Sequence, residues 1–301
     1  MQIRRRTILA GLASASYASG SAVRLGGPIF LKSDDPVALA KEHRRLGYSA
    51  AYCPQATVED STRVKAIREA FGAHDVVIAE VGAWRNMLDP DAAKRKANLE
   101  YVTARLALAD AVHARCCVDI AGSFNAEVWY GPHPKNLSRE FFDATVENCR
   151  KVIDAVKPAH TTFSIEMMGW NLPDSADSYV ALLKAVDRKA FAVHVDVCNI
   201  INSPQRFYDN AGVIREVFRK LGARAVSCHA KDLAWIPEMN VHFVEVIPGR
   251  GQIDYRVYLS ELAKLPQQPP LMLEHLKNAG EYDEGREYIR RKGAEIGVKF
   301  V

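Results

Sequence analysis

FSIEMMGW, residues 163–170, begins as a buried strand and ends on a carboxylate. Phe163 and Ile165 belong in a core and Ser164 is tolerated between them, but a glutamate is almost never buried without a partner. Glu166 is therefore a helix cap, a solvated loop residue or a strand tip that carries chemistry. Three later runs favour the last by repeating the pattern. FAVHVDV (191–197) reaches Asp196, AVSCHAKD (225–232) reaches His229, and LMLEHL (271–276) reaches Glu274.

Working outward, strand-like runs near 23–30, 49–53, 75–81 and 115–121 precede these four, which lie near 161–167, 191–197, 224–229 and 271–275. Between them stand amphipathic stretches such as DPVALAKEHRRLG (35–47), DAAKRKANLEYVTARLALADAV (91–112) and SREFFDATVENCRKVIDAV (138–156), with apolar residues at helical spacing. Asp35 before Pro36, Asp89 before Pro90 and Ser203 before Pro204 read as helix starts. Eight strands alternating with helices predict an α/β fold, a parallel sheet closed into a single (β/α)8 TIM barrel over residues 23–301. An open doubly wound sheet is the alternative. The first strand, AVRLGGPIF (22–30), has no G-x-G-x-x-G opening a helix, so dinucleotide binding lacks support.

Composition narrows the function. A hydrophobic share of 48% with 25% charged residues is that of a globular chain, and the net charge is only +4. No basic block stands out beyond Arg4, Arg5 and Arg6, which argues against a nucleic-acid partner. The six cysteines show no C-x-x-C spacing and read as small core residues of a reduced protein. No apolar run reaches the roughly 18 residues of a membrane span. Residues 1–22 are different: RRRTILAGLASASYASGSA (4–22) has the layout of a cleavable signal, and RRTIL resembles a twin-arginine export motif. The expectation is a periplasmic protein starting near Val23; the alternative is a disordered tail on a cytoplasmic one.

In a barrel of this kind chemistry sits at the C-terminal ends of the strands. Alternation along the strands puts Ser164 with Glu166, Ser227 with His229 and Met272 with Glu274, while Val193, Val195 and Val226 take the opposite face. All four polar tips then point to one place above the barrel. Three converging carboxylates without a counter-charge repel one another, and a divalent cation removes the conflict. One imidazole with three carboxylates suits Mn2+ best, with Mg2+ or Co2+ as alternatives, rather than a structural zinc.

These residues, with the longer pieces SIEMMGW, HVDVCNIINSP, SCHAKD, PGRGQIDY and LMLEHL, give the chain its family resemblance. Over residues 23–290 it resembles the xylose isomerase-like TIM barrels, which include sugar isomerases, ketose 3-epimerases, inosose dehydratases and endonuclease IV. The resemblance implies one divalent metal held by Glu166, Asp196, His229 and Glu274, with Glu166 and Glu274 also acting as acid and base on substrate carbon. It departs from the ketose 3-epimerases at three pocket positions: Asn199 replaces a histidine, Leu172 a glutamate and Trp235 an arginine. The implied activity is isomerase or epimerase chemistry, proton transfer next to the carbonyl of a ketose or keto-sugar derivative. The alternative is a lyase or dehydratase acting by β-elimination from the same enediolate on a keto-sugar, inosose or keto-glycoside. An endonuclease IV-like nuclease needs further histidines at the early strand tips, and a non-catalytic sugar-binding barrel needs no intact ligand set. The partner is thus a small sugar, and nothing opposes a homo-oligomer.

Other polar groups are candidates for substrate contact. Glu80, Trp84 and Asn86 follow the third strand in AEVGAWRN (79–86), where a tryptophan face suits the C–H face of a sugar. Asn199 follows the sixth strand. Asp232 is expected to contact substrate, orient a ligand from behind or form an ion pair, and Arg250 stands in the glycine loop of PGRGQIDY (248–255). His194, two residues before Asp196, reads as a hydrogen-bonded core residue deeper in the barrel.

Overall fold

The computed structural model describes residues 22–301, so the expected leader lies, but for Ala22, outside the described residues. Eight parallel strands close into a barrel in the order β1-β10-β7-β6-β5-β4-β3-β2. The first four are β1 (Leu25–Gly26), β2 (Ala50–Tyr52), β3 (Val77–Gly82) and β4 (Cys116–Asp119). The other four are β5 (Thr162–Glu166), β6 (Phe191–Val195), β7 (Ala225–Ala230) and β10 (Leu271–Leu273). The predicted fold and strand count hold, and the open-sheet alternative does not. Between β7 and β10 the chain adds an element that the eight-strand pattern does not predict: an antiparallel hairpin of β8 (Asp232–Trp235) and β9 (Phe243–Val246).

Helices fill the connections, among them α1 (Pro36–Arg45), α2 (Ser61–Ala73), α3 (Ala92–Ala111), α4 (Arg139–Val156) and α5 (Ala176–Val186). The later ones are α6 (Val197–Ile200), α7 (Pro204–Tyr208), α8 (Asn210–Leu221), α9 (Tyr255–Leu262) and α10 (Ala279–Glu295). Asp35 caps α1 and Ser203 caps α7 as expected, each followed by a proline in the first turn. The start of α3 is a correction. Its cap is Asp91, which accepts from Ala93 N and Lys94 N, whereas Asp89 accepts from Asp91 N one turn earlier.

Outward residues Phe163, Ile165, Val193 and Val195 pack under the helices in the main core, and Ala50, Ala79 and Met272 form a small separate cluster. Two register shifts break the strict alternation. Between β2 and β3, Ala51 pairs with Ile78 but Tyr52 with Glu80, so Ala79 is an extra residue. Between β6 and β7, Val193 pairs with Ala225 but His194 with Ser227, so Val226 is extra. Such bulges re-aim the side chains that follow them.

Candidate metal centre

Asp196 is both strand tip and helix cap. Its Oδ1 accepts from Cys198 N (3.0 Å) and Asn199 N (3.3 Å) at the start of α6. That fixes the carboxylate and leaves Oδ2 facing the barrel mouth. Glu166 ends β5 nearby, and its Oε1 accepts from the Asn199 amide at 3.1 Å. His229, in β7, turns Nδ1 toward both: it is 3.0 Å from Glu166 Oε1, 3.4 Å from Asp196 Oδ2 and 2.9 Å from Glu274 Oε2. Glu274 follows β10 directly, and the next residue, His275, takes a left-handed backbone (φ 59°). That conformation is uncommon for any residue but glycine. It leaves the His275 ring beside Glu274, 3.6 Å away, and against Glu245 at 2.8 Å.

The four residues predicted as ligands therefore meet, each offering an atom within 4.8 Å of the others. The arrangement fits a cation by two measures. Neighbouring ligands around an octahedral ion with bonds of about 2.1 Å stand about 3.0 Å apart, close to the spacings around His229 Nδ1. Asp196 Oδ2 and Glu274 Oε2 are also buried without a well-directed hydrogen bond, a cost unless a cation takes their lone pairs.

Lys231, not singled out from the sequence, completes the electrostatics. The buried Lys231 ammonium lies 2.8 Å from Asp196 Oδ2, 2.9 Å from Glu274 Oε2 and 3.7 Å from Glu245 Oε1. Burial alone would lower its pKa, but Asp196, Glu166 and Glu274 raise it well above the usual lysine value. Burial likewise opposes the charged form of His229, and Glu274, Glu80 and Glu166 outweigh it, so the metal-free ring is an imidazolium. For Glu274 burial is overcome by His229 and Lys231, which bring its pKa to about 2. For Glu166 burial wins and the pKa is raised, despite His229 and Lys231 nearby. Three carboxylates, Lys231 and imidazolium leave one negative charge. A divalent cation beside neutral His229 brings the set to zero.

A cleft of about 470 Å3 opens over the cluster, walled by Trp84, Ile120, Trp129, Tyr130 and Met168. Trp84 stands where the sequence reading placed it, and Asn199 also reaches the cleft while its amide is held by Glu166 and the Met167 carbonyl. The other four candidates are elsewhere. Glu80 is buried under the cluster, bonded to His194 and His229. Asn86 ties two loops together, donating to Ser123 O and accepting from Leu88 N and Ser123 N. Asp232 accepts four backbone amides, from Leu233, Gly249, Gly251 and Ile253, which leaves it no oxygen for substrate or for orienting His229. Arg250 is held at the surface by both oxygens of Glu284, at 2.6 and 2.8 Å. Ile120, Trp129, Tyr130, Met168, Lys231, Glu245 and His275 also line the cleft and are not singled out from the sequence. Two of them carry a signal in their place along the chain: Lys231 stands two residues after His229 and His275 directly after Glu274.

Comparison with known proteins agrees with this architecture. The model of the xylose isomerase-like TIM barrel matches residues 40–292. A xylose isomerase-like TIM barrel protein from Mycobacterium smegmatis, solved in complex with magnesium, is 18% identical with a TM-score of 0.64, over 93% of this chain and 99% of that one. The 3-keto-D-glucoside 4-epimerase of E. coli is 12% identical with a TM-score of 0.63, over 89% and 99%. Endonuclease IV from Thermus thermophilus is 14% identical with a TM-score of 0.64, over 91% and 99%. These likenesses establish a shared fold, and no curated protein matches the sequence. A barrel with these ligand-bearing tips, matched by one family model over most of its length, has one classification: the chain belongs to the xylose isomerase-like TIM barrel family.

Proposed function

We propose that the protein is a metal-dependent isomerase or epimerase that moves a proton on the carbon beside the carbonyl of an uncharged ketose or keto-sugar derivative. One observation carries this reading. Glu166 and Glu274 flank a single cleft from strands separated by β6 and β7, in unlike surroundings, one raised in pKa by burial and the other held to about 2. Two titratable groups pushed apart by their environments are the mark of an acid–base pair. A divalent cation, Mn2+ by this donor set, would polarise the substrate carbonyl and acidify the neighbouring C–H. Glu274, held as the carboxylate, would then take the proton and Glu166, the more readily protonated of the two, would return one, to the opposite face or to the adjacent carbon. Trp84, Trp129 and Tyr130 offer flat apolar faces to a sugar ring and keep water from the exposed carbanion.

The charge pattern supports an uncharged substrate. The cations that line the cleft are already paired: Lys231 with Asp196 and Glu274, and His275 with Glu245. No free cation among these awaits a phosphate. A second reading, β-elimination from the same enediolate, draws on His275, a donor 3.6 Å from Glu274 that faces the cleft and is placed to protonate a leaving oxygen.

The test is proton exchange. The Mn2+-loaded protein is incubated in D2O with ketoses, keto-sugars and keto-glycosides and followed by NMR. Deuterium at one carbon with the skeleton intact supports the isomerase or epimerase; release of water or an aglycone supports the lyase. E274Q, which keeps the shape but cannot act as a base, should lower turnover by at least about 10²-fold. Unchanged turnover in E274Q with metal bound refutes the acid–base pair.

A further inference from the structure

We propose that Glu80 is a positioning residue for the metal centre, gripping His229 from beneath so that the ring's Nδ1 stays aimed at Glu166, Asp196 and Glu274. The inference rests on the metal reading of that cluster and adds a residue to it. His229 Nδ1 faces the three carboxylates, and its other nitrogen, Nε2, lies 3.3 Å from Glu80 Oε2. A carboxylate only accepts, so Nε2 carries the hydrogen and Nδ1 is the nitrogen left with a lone pair once the site is loaded. The bond made by one imidazole nitrogen selects what the other can do.

Glu80 is itself fixed. His194 Nε2 donates to its Oε1 at 2.9 Å, and Ser227 Oγ donates to the same oxygen. Glu80, His194 and His229 have no exposed side-chain surface, so this acid is away from solvent. An ionised group is kept in such a place only where its partners fully satisfy it.

The backbone is adjusted to make the contact. On β3, Ala79 belongs to the interior cluster, and plain alternation would turn Glu80 outward to the helices. The extra residue at Ala79 turns Glu80 inward instead. On β7, the extra residue at Val226 does the same for Ser227 and, two residues on, His229. Two bulges in separate strands thus converge on one carboxylate–imidazole pair. Glu80, His194 and His229 also lie close enough to suggest a second cation site. The Glu80 oxygens already accept three hydrogen bonds and no cleft reaches them, so the trio serves as a support.

The experiment uses the full chain with E80Q and E80L. Mn2+ affinity is measured by titration against a chelator, and the His229 tautomer by long-range 1H–15N NMR on the Mg2+-loaded, histidine-labelled protein. In the parent, Nε2–H with metal on Nδ1 is expected. Both variants should bind Mn2+ about 10- to 100-fold more weakly, the usual cost of losing a partner behind a ligand, while far-UV circular dichroism is unchanged. E80Q should show a mixed tautomer, because its amide can present a donor to Nε2; a merely structural role for Glu80 would not move that signal. E80Q binding Mn2+ within twofold of the parent, with the same tautomer, overturns the proposal. So does a parent ring carrying its proton on Nδ1, a result that needs no variant to fold. If the parent binds no metal at all, it is the metal reading that fails.

Discussion

Lys231 and His229 are the cations that let three acids share one buried site in the metal-free protein. Removing a partner from a buried charge cluster typically costs about 3–5 kcal/mol, because the remaining charge is left uncompensated. K231M should therefore destabilise the metal-free protein by about 3 kcal/mol in urea unfolding. Saturating Mn2+ should recover most of that, since the cation replaces the lost charge. A K231M variant as stable as the parent without metal would mean that Lys231 does not compensate the cluster. H229A should remove most bound metal, read by elemental analysis, with helical circular dichroism largely intact. The two residues also differ in how visible they were. His229 stands at the end of a short apolar run, one of four such runs that close on a carboxylate or imidazole. Lys231 lies past that tip, and its inward reach depends on a backbone path that one-dimensional patterning does not encode.

At the scale of elements, the eight barrel strands were legible because each is a short apolar run bounded by helical periodicity. The β8–β9 hairpin was not, because its strands are four residues each and stand at the mouth of the barrel, with Trp235, Val244 and Glu245 exposed. The bulges were invisible for a related reason: one extra residue inverts alternation without changing composition. Asp232 is where the hairpin meets the loop after it. Its four backbone hydrogen bonds gather residues 249–253 against β8, and Gly251 is required there because a side chain would collide with Asp232 itself. D232A should cost about 2–4 kcal/mol, from several charge-assisted bonds lost together, and should lower kcat/KM by loosening the hairpin that carries Glu245. Equal stability of D232A and parent in urea would remove Asp232 from that role. In α1, burial lowers the pKa of His43, whose Nδ1 lies 2.9 Å from Leu39 O. The unfolded chain binds its proton first, so stability is full above the unfolded value of about 6.5 and is lost as pH falls through the depressed folded pKa. H43F, packed beside Tyr48 and Phe71, should show a smaller fall in melting temperature between about pH 7 and 5. An unchanged fall would place that acid sensitivity elsewhere.

Across the whole molecule the candidate ligands are unevenly shared. All four come from the second half of the barrel, on or just after β5, β6, β7 and β10, while β1 to β4 supply none. The barrel nevertheless closes through β1, a strand of only two residues pairing β10 on one side and β2 on the other. A cation at the centre would tie four strand ends together across that wall, and the unfolded chain has no equivalent site, because the ligands are tens of residues apart in sequence. Binding to the native state alone stabilises by RT ln(1 + [L]/Kd), about 2.7 kcal/mol at a free concentration one hundred times Kd. Chelator-stripped protein should therefore melt several degrees below protein in saturating Mn2+, with the midpoint climbing as the logarithm of metal concentration. H229A should lose that climb, and K231M should keep it, because Lys231 neutralises the cluster but offers no lone pair to the cation. A melting temperature indifferent to Mn2+ in the parent would show that the four tips, although they converge, do not hold the ion.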